Sequence, residues 1–220
     1  MKVTCISASN IIGKGAENGT SYEICRIILD EISKSIQEVC GKIIELKNLT
    51  VQPCIGCGKC FQSHRCFFDD DFNDIYREII SSEVVFFVSP HYAPIPSKLS
   101  ALLERMEQIT FLHWGKDNSY QSEVYGKRTG VISHGGGEAW ALDSYKKMVN
   151  DTIANALDTI QMKLIPLNDE WDTGLSIPVE KATFQNGDIF PIQEYDWDFV
   201  TSRVKEYTDK LISTYLEENQ

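Results

Sequence analysis

The sequence predicts an α/β protein built on a doubly wound parallel sheet with helices on both faces. Three observations carry this expectation. Five short apolar runs alternate with five stretches of helical period over the 220 residues. The third run, Val84-Val85-Phe86-Phe87-Val88, is apolar without alternation, as a central parallel strand covered on both faces must be. The loops richest in Gly, Pro, Ser and Asn (7–21, 89–97 and 133–138) follow the carboxyl ends of runs one, three and four, where open α/β sheets place their ligands.

The elements follow in order. Val3–Ser7 reads as a buried first strand. Ile24, Ile27, Ile28, Ile32, Ile36 and Val39 recur at helical spacing, with Gly41 as the expected stop. Lys42–Leu46 is a second strand. Asp69, Asp70 and Asp71 open a helix through Ile75, Ile79 and Ile80, where acidic groups offset the positive end of the helix dipole. After the third strand, Leu99, Leu102, Leu103, Met106 and Ile109 mark an inward helix face. Thr129–Ser133 is the fourth strand. A helix follows through Tyr145, Met148, Val149, Ile153, Ala156, Leu157 and Ile160, then a fifth strand at Lys163–Leu167. Phe199, Val200, Val204, Tyr207, Leu211 and Tyr215 line the last helix. Residues 168–193 lack helical period, and Asn186-Gly187 is a hairpin signal, so this stretch reads as a surface excursion, with an active-site lid or oligomer contact as the alternatives. With no repeat, linker or low-complexity tract, residues 1–220 are expected to form a single domain.

Composition narrows the function. A net charge of −11 argues against nucleic-acid or anionic-membrane partners. The longest apolar runs are far too short to span a bilayer, and no signal-peptide pattern precedes the first strand, so a cytoplasmic location is expected. The seven cysteines are odd in number and unevenly spread, which favours reduced thiols or metal ligands over a disulfide framework.

Four of the seven fall in one stretch. Cys54, Cys57, Cys60 and Cys66 form C-x2-C-x2-C-x5-C in the loop 53–66. Thiolates this close can wrap one iron–sulfur centre, and Gly56 and Gly58 free the backbone for the tight turns that requires. Free or redox-active thiols, and a zinc or purely structural role, remain open beside a [4Fe–4S] cluster. Cys5, Cys25 and Cys40 read as small core residues. His64 reads as a spacer in the cysteine loop, and Trp114, Trp140 and Trp171 as packing residues.

The three loops have distinct chemistries. The first, with Ser7, Ser9, Thr20 and Ser21, leads into a helix whose N-terminal N–H groups can hold an anion, usually phosphate. It lacks both the Gly-Lys-Ser/Thr ending of a Walker loop and the G-x-G-x-x-G dinucleotide fingerprint. The second has three prolines, Pro90, Pro94 and Pro96, and its rigidity suits it to seat a planar ring on Tyr92. The third, Gly135-Gly136-Gly137, allows close backbone approach and offers N–H groups to negative charge. His91 and His134 are candidates to donate a proton or hydrogen bond, against the plainer reading of loop histidines bonded to backbone or water.

Taken together these features resemble the flavodoxin-like NAD(P)H-dependent FMN reductase superfamily, and within it the iron–sulfur flavoprotein branch. The resemblance rests on Ser7-Ala8-Ser9 before Asn18-Gly19-Thr20-Ser21, on Pro53 and the four clustered cysteines with Asp70-Asp71, on Ser89-Pro90-x-Tyr92 leading to Ser97-x-Leu99, and on the glycine-rich loop. It spans residues 1 to about 165. It implies a three-layer sandwich with strand order 2-1-3-4-5. It places the FMN phosphate on Ser7, Ser9, Thr20 and Ser21, the ring and ribityl chain on Pro90, His91, Tyr92, Ala93 and Ile95, and a second ring contact on Ser133, His134 and Gly135 to Gly137. A [4Fe–4S] cluster would fall on Cys54, Cys57, Cys60 and Cys66. It also implies NAD(P)H as electron donor, a redox partner or small-molecule acceptor, and a homodimer or homotetramer; no side chain is named as catalytic. Two departures stand out: Asn10 to Glu17 is longer than the family's turn and lacks its Arg, leaving Lys14 as a nearby cation, and Pro94 and Pro96 replace less rigid residues.

The function expected is therefore an FMN-dependent electron-transfer oxidoreductase. The alternatives are a cluster-free NAD(P)H-dependent FMN or quinone reductase, and a non-enzymatic thiol or metal sensor on the same scaffold.

Overall fold

The computed structural model describes residues 1–10, 19–92, 94–185, 187 and 191–218. Its frame is a parallel sheet of β1 (Lys2–Ser7), β2 (Cys40–Glu45), β3 (Val84–Pro90), β4 (Arg128–His134) and β5 (Lys163–Leu164), in the order β2-β1-β3-β4-β5. Alternate residues of the central strands face two separate cores. Val85, Phe87 and Ile6 join the core under α3 (Phe72–Ser81), α4 (Ser97–Trp114) and α6 (Asp151–Thr159). Val84, Phe86, Val88, Val3 and Cys5 join the core under α1 (Gly19–Ser35) and α7 (Trp197–Glu218). Two buried faces explain why β3 reads as a continuous apolar run: all seven of its residues are buried. Gly130 in β4 makes room for Phe86, whose ring would lie 2.4 Å from a Cβ there.

The structure differs from the sequence reading at several points. The first helix begins at Gly19 and ends at Ser35, so Val39 lies beyond it and Gly41 does not stop it. Gly41 sits inside β2, where a Cβ would press on the Leu29 side chain at 2.9 Å; the glycine allows close helix–strand packing. Cys40, at the exposed start of β2, is not a core residue, whereas Cys5 and Cys25 are buried. The fifth strand pairs only at Lys163 and Leu164.

The largest difference lies in residues 168–193. β6 (Leu175–Ile177) returns to the sheet and pairs in parallel with Ile132, Ser133 and His134 of β4. Leu175 and Ile177 are fully buried, so this part of the stretch is core rather than excursion. Three residues are too few to reveal a strand by period. The hairpin signal holds in β7 (Lys181–Thr183) and β8 (Ile192–Glu194), which pair antiparallel; of its turn, Asn186, Asp188, Ile189 and Phe190 lie outside the described residues. No described helix is long and apolar enough to cross a membrane.

Candidate flavin site and cysteine pocket

The three ligand loops leave β1, β3 and β4, which are neighbours in the sheet. Ser7 pairs with Val88, Ser89 with Ser133, and Pro90 with His134, so the loops start at one level. Two backbone bonds continue the sheet into them: Ala8 N–H to the Val88 carbonyl and His91 N–H to the His134 carbonyl, both 2.9 Å. The sequence-selected residues are therefore brought together, with Ala93, Lys14 and the rest of 11–18 outside the described residues.

At the first loop, α1 starts with Gly19 at φ +69° and has no acidic residue in its first turn. Its leading N–H groups have no intrahelical acceptor and form the positive end of the helix dipole. The hydroxyls have other partners. Ser21 Oγ lies 2.7 Å from His134 Nε2 in the interior, and the Thr20 hydroxyl bonds to Tyr195. An anion at this helix end would thus meet backbone N–H groups first. Ser7 is buried at the end of β1 and Ser9 lies just past it.

His134 is fully enclosed, and burial pushes its imidazole down to about 3. At neutral pH it is uncharged, tied to Ser21 on one side and within 3.4 Å of the Tyr195 hydroxyl on the other. Ser133 Oγ turns into the core, 2.9 Å from Ser176 Oγ of β6. His91 differs: its Nε2 is buried without a partner among the described residues, as is Oδ1 of Asn10. Such orphaned polar atoms call for an explanation in a folded protein. They lie in the first and second loops, where a ligand with hydroxyls and ring nitrogens would satisfy them. Tyr92 is partly exposed, and its N–H bonds to the Pro94 carbonyl at 2.9 Å. Ile95 packs on the core below. The donor set and the start of α1, with no acidic residue in its first turn, fit FMN.

The glycine loop needs its glycines for an internal reason. A Cβ at Gly135 would stand 2.5 Å from the Tyr145 hydroxyl, and one at Gly137 would stand 2.4 Å from the Ala141 Cβ. Gly137 N–H donates to the Tyr145 hydroxyl at 2.5 Å. Tyr145, on the short α5 (Leu142–Tyr145), also faces the His91 ring at 5.7 Å. Above the loop, the Tyr195 hydroxyl donates to the Gly135 carbonyl at 3.1 Å, and Gln193 of β8 overlies Gly136. Tyr195 thus links the start of α1 to the third loop. Sequence reasoning missed it because it lies in the aperiodic tail; its single signal is an aromatic residue just before a helix.

The cysteine loop lies along α4, in the connection between β2 and α3. All four cysteines line one pocket, with Ile55, Phe67, Phe68, Arg105 and Ile109 among its walls. Gly56 and Gly58 have φ of +64° and +68°, and Gly56 N–H points at Cys54 Sγ, 3.3 Å away. His64 also adopts the left-handed conformation, its ring stacked 3.6 Å from His113. Burial pushes the Cys60 thiol up, and the neighbouring cysteines add to that. Among the described residues no His, Cys, Asp or Glu group stands ready for a single metal ion. Four soft thiols around one apolar pocket, with an amide turned toward sulfur, are nevertheless the donor set of an iron–sulfur cluster.

Asp70 and Asp71 do more than open α3. Asp71 accepts the Thr50 N–H at 2.6 Å, and Asp70 accepts the N–H groups of Gln52 and Phe72. Asp70 also forms a two-pronged pair with Arg105 of α4, at 2.6 and 3.0 Å, with both side chains at most 3% exposed. Burial alone would raise the Asp70 carboxyl, but the guanidinium and the N–H groups outweigh it and hold it below the usual range. Arg105 bonds the Gln52 carbonyl as well, and Glu104 accepts the Cys54 N–H at 3.0 Å. Both ends of the cysteine loop are stitched to α4 by protein groups alone.

Together, a doubly wound sheet of order β2-β1-β3-β4-β5 and three loops meeting over β1, β3 and β4 define a flavodoxin-like protein. The sequence model for NADPH-dependent FMN reductases matches residues 1–162, and the chain belongs to that family of FMN oxidoreductases. It is 29% identical over 108 residues to an iron–sulfur flavoprotein of Methanosarcina thermophila, covering 48% of this chain and 52% of that one. It is 24% identical over 102 residues to an iron–sulfur flavoprotein of Archaeoglobus fulgidus, covering 46% of each. The chain thus spans about half the length of these curated relatives. Among solved structures, flavodoxin 1 from Bacillus cereus superposes with a TM-score of 0.52 at 10% identity, covering 97% of this chain and 98% of that one. At that identity the likeness speaks for the fold.

Proposed function

We propose that this chain is an FMN-dependent oxidoreductase that takes electrons from NAD(P)H and passes them to a redox partner or small-molecule acceptor, working as one domain in a reducing cytoplasm. The observation that carries the reading is the meeting of three loops at neighbouring strand ends, all within the stretch that matches the family. Bound FMN would accept two electrons as a hydride and release them together or singly. The N-terminal N–H groups of α1 would hold its phosphate. Asn10 Oδ1 and His91 Nε2 would meet its polar edge, Pro90, Tyr92 and Ile95 would flank the ring, and Gly135 to Gly137 would close the other side. His134 stays neutral at pH 7 with both ring nitrogens near protein hydroxyls, so it orients the loops and supplies no proton.

The four cysteines would hold a [4Fe–4S] cluster, which supplies one-electron transfer. Arg105 lies eight residues past the start of α4 at Ser97, about 12 Å along the helix, so the pocket lies close to the flavin loops. The protein acts as a homo-oligomer in this reading, with exposed Trp140, Trp197 and Phe199 available for contact between copies. A cluster-free NAD(P)H-dependent FMN or quinone reductase is the second reading. It is favoured by the stitched loop ends, which keep the loop in place without metal.

Anaerobic purification tests both. Iron and acid-labile sulfide near four per chain beside flavin absorbance supports the first reading, and flavin without iron supports the second. A colourless protein that does not take up FMN sinks both. Sedimentation of the holoprotein gives the oligomeric state.

A further inference from the structure

We propose that Arg105 is a positioning residue of the cysteine pocket, supplying a fixed positive charge and a spare N–H donor to a sulfur-ligated iron cluster and raising its reduction potential. The inference rests on the reading that Cys54, Cys57, Cys60 and Cys66 hold such a cluster. Four observations support it. Arg105 lines the pocket that those cysteines line. Its side chain is 1% exposed, so its charge is poorly screened by water. Cys66, beside Asp70, is among the neighbours that favour its charged form. Finally, its donors are only partly used: one terminal nitrogen serves Asp70 and the Gln52 carbonyl, the other serves Asp70, and Nε is buried with no partner among the described residues.

An arginine that only stitched the loop would need the two terminal nitrogens alone. The guanidinium is also fixed in direction. Its central carbon lies 4.1 Å from the Phe72 ring centre and 5.5 Å from that of Phe68, so the group is held between aromatic faces. Asp70 pairs with it from the loop stem, and the same arginine lines the pocket with the four cysteines. Hydrogen bonds to sulfur and local charge are the means by which a protein sets the potential of such a cluster.

The test is an anaerobic redox titration of the reconstituted holoprotein, followed by cluster absorbance, with iron and sulfide counted in every sample. Arg105→Gln removes the cation and should lower the midpoint. Asp70→Asn leaves the cation uncompensated and should raise it. A tenfold change in the oxidised-to-reduced ratio at fixed potential, equal to about 59 mV for one electron, is the size expected for each. Arg105→Gln leaves the buried Asp70 unpaired and risks misfolding. The double variant Arg105→Gln/Asp70→Asn has no buried charge there and should still lie below wild type, because the nearer group is lost. Opposite shifts in the single variants, or a lowered midpoint in the double variant, support the proposal. Wild-type midpoints with full iron, or shifts of the same sign, overturn it. Wild-type protein that takes up no iron overturns the cluster reading itself, and the iron count separates that failure from the other.

Discussion

Ser7, Pro90 and His134 stand at the ends of three neighbouring strands, whereas Cys54, Cys57, Cys60 and Cys66 stand on one loop between β2 and α3. The first group is positioned by the sheet itself: its backbone continues the ladder, His134 meets the Tyr195 hydroxyl, and the adjoining Ser133 and Gly137 bond to Ser176 and Tyr145. The second is positioned by its stem, through Asp70, Asp71, Glu104 and Arg105, while Cys57 and Ile55 remain exposed. The contrast separates two ways of holding a group of side chains in place. One depends on the whole fold; the other could be emptied and leave the fold intact.

The largest expected effect cuts the two regions apart. Cys60→Ala should abolish iron binding while FMN binding and the thermal midpoint stay near wild type; joint loss of FMN would show that the regions are not independent. In the strand-end region, Gly137→Ala forces a Cβ to within 2.4 Å of Ala141 and 2.8 Å of the Tyr145 hydroxyl. Overpacking of that kind costs about 1–3 kcal/mol, which urea unfolding should register along with weaker FMN binding and unchanged iron.

His134 gives a pH test of comparable size. Its folded pKa, about 3, lies below the ordinary value of 6.5. The unfolded chain therefore takes up a proton that the folded chain refuses, and stability falls as pH drops below about 6.5. Between pH 6.5 and 4.5 this one residue should remove about 2 kcal/mol. His134→Gln should flatten that part of the profile, and a slope equal to wild type would rule out His134 as its source. The smallest effect belongs to Tyr195→Phe. Losing the hydroxyl that bridges Thr20 and Gly135 should cost about 1 kcal/mol. FMN affinity should fall about fivefold by fluorescence titration, with the iron content unmoved.

Much of this arrangement could be read from the sequence, for physical reasons. A central strand buried on both faces leaves the unbroken run Val84–Val88, and parallel order then puts the Ser-, Pro- and Gly-rich loops at one end. The cysteine spacing was equally legible because it is local. What escaped was non-local pairing. Asp70 looked like a helix-opening acid because its partner Arg105 lies 35 residues away on an otherwise apolar helix face. The glycines of the third loop suggested a ligand, but the atoms nearest to them belong to Tyr145, Ala141 and Gln193. β6 is too short to carry a period and is recognisable only by the strand it joins.

β6 also changes what the end of the chain contributes. The position beside β4 is filled by two pieces laid in succession, β5 at Arg128 and Thr129, and β6 at Ile132 to His134. The match to the reductase family stops at residue 162, one residue before the first of these pieces. The outer border of the sheet, the hydroxyl on which Ser133 rests and the tyrosine spanning two of the loops therefore come from sequence beyond the matched residues. The border of the sheet and the tyrosine over two of the loops are set by 163–196, so changes there reshape the loops while β1, β3 and β4 stay as they are.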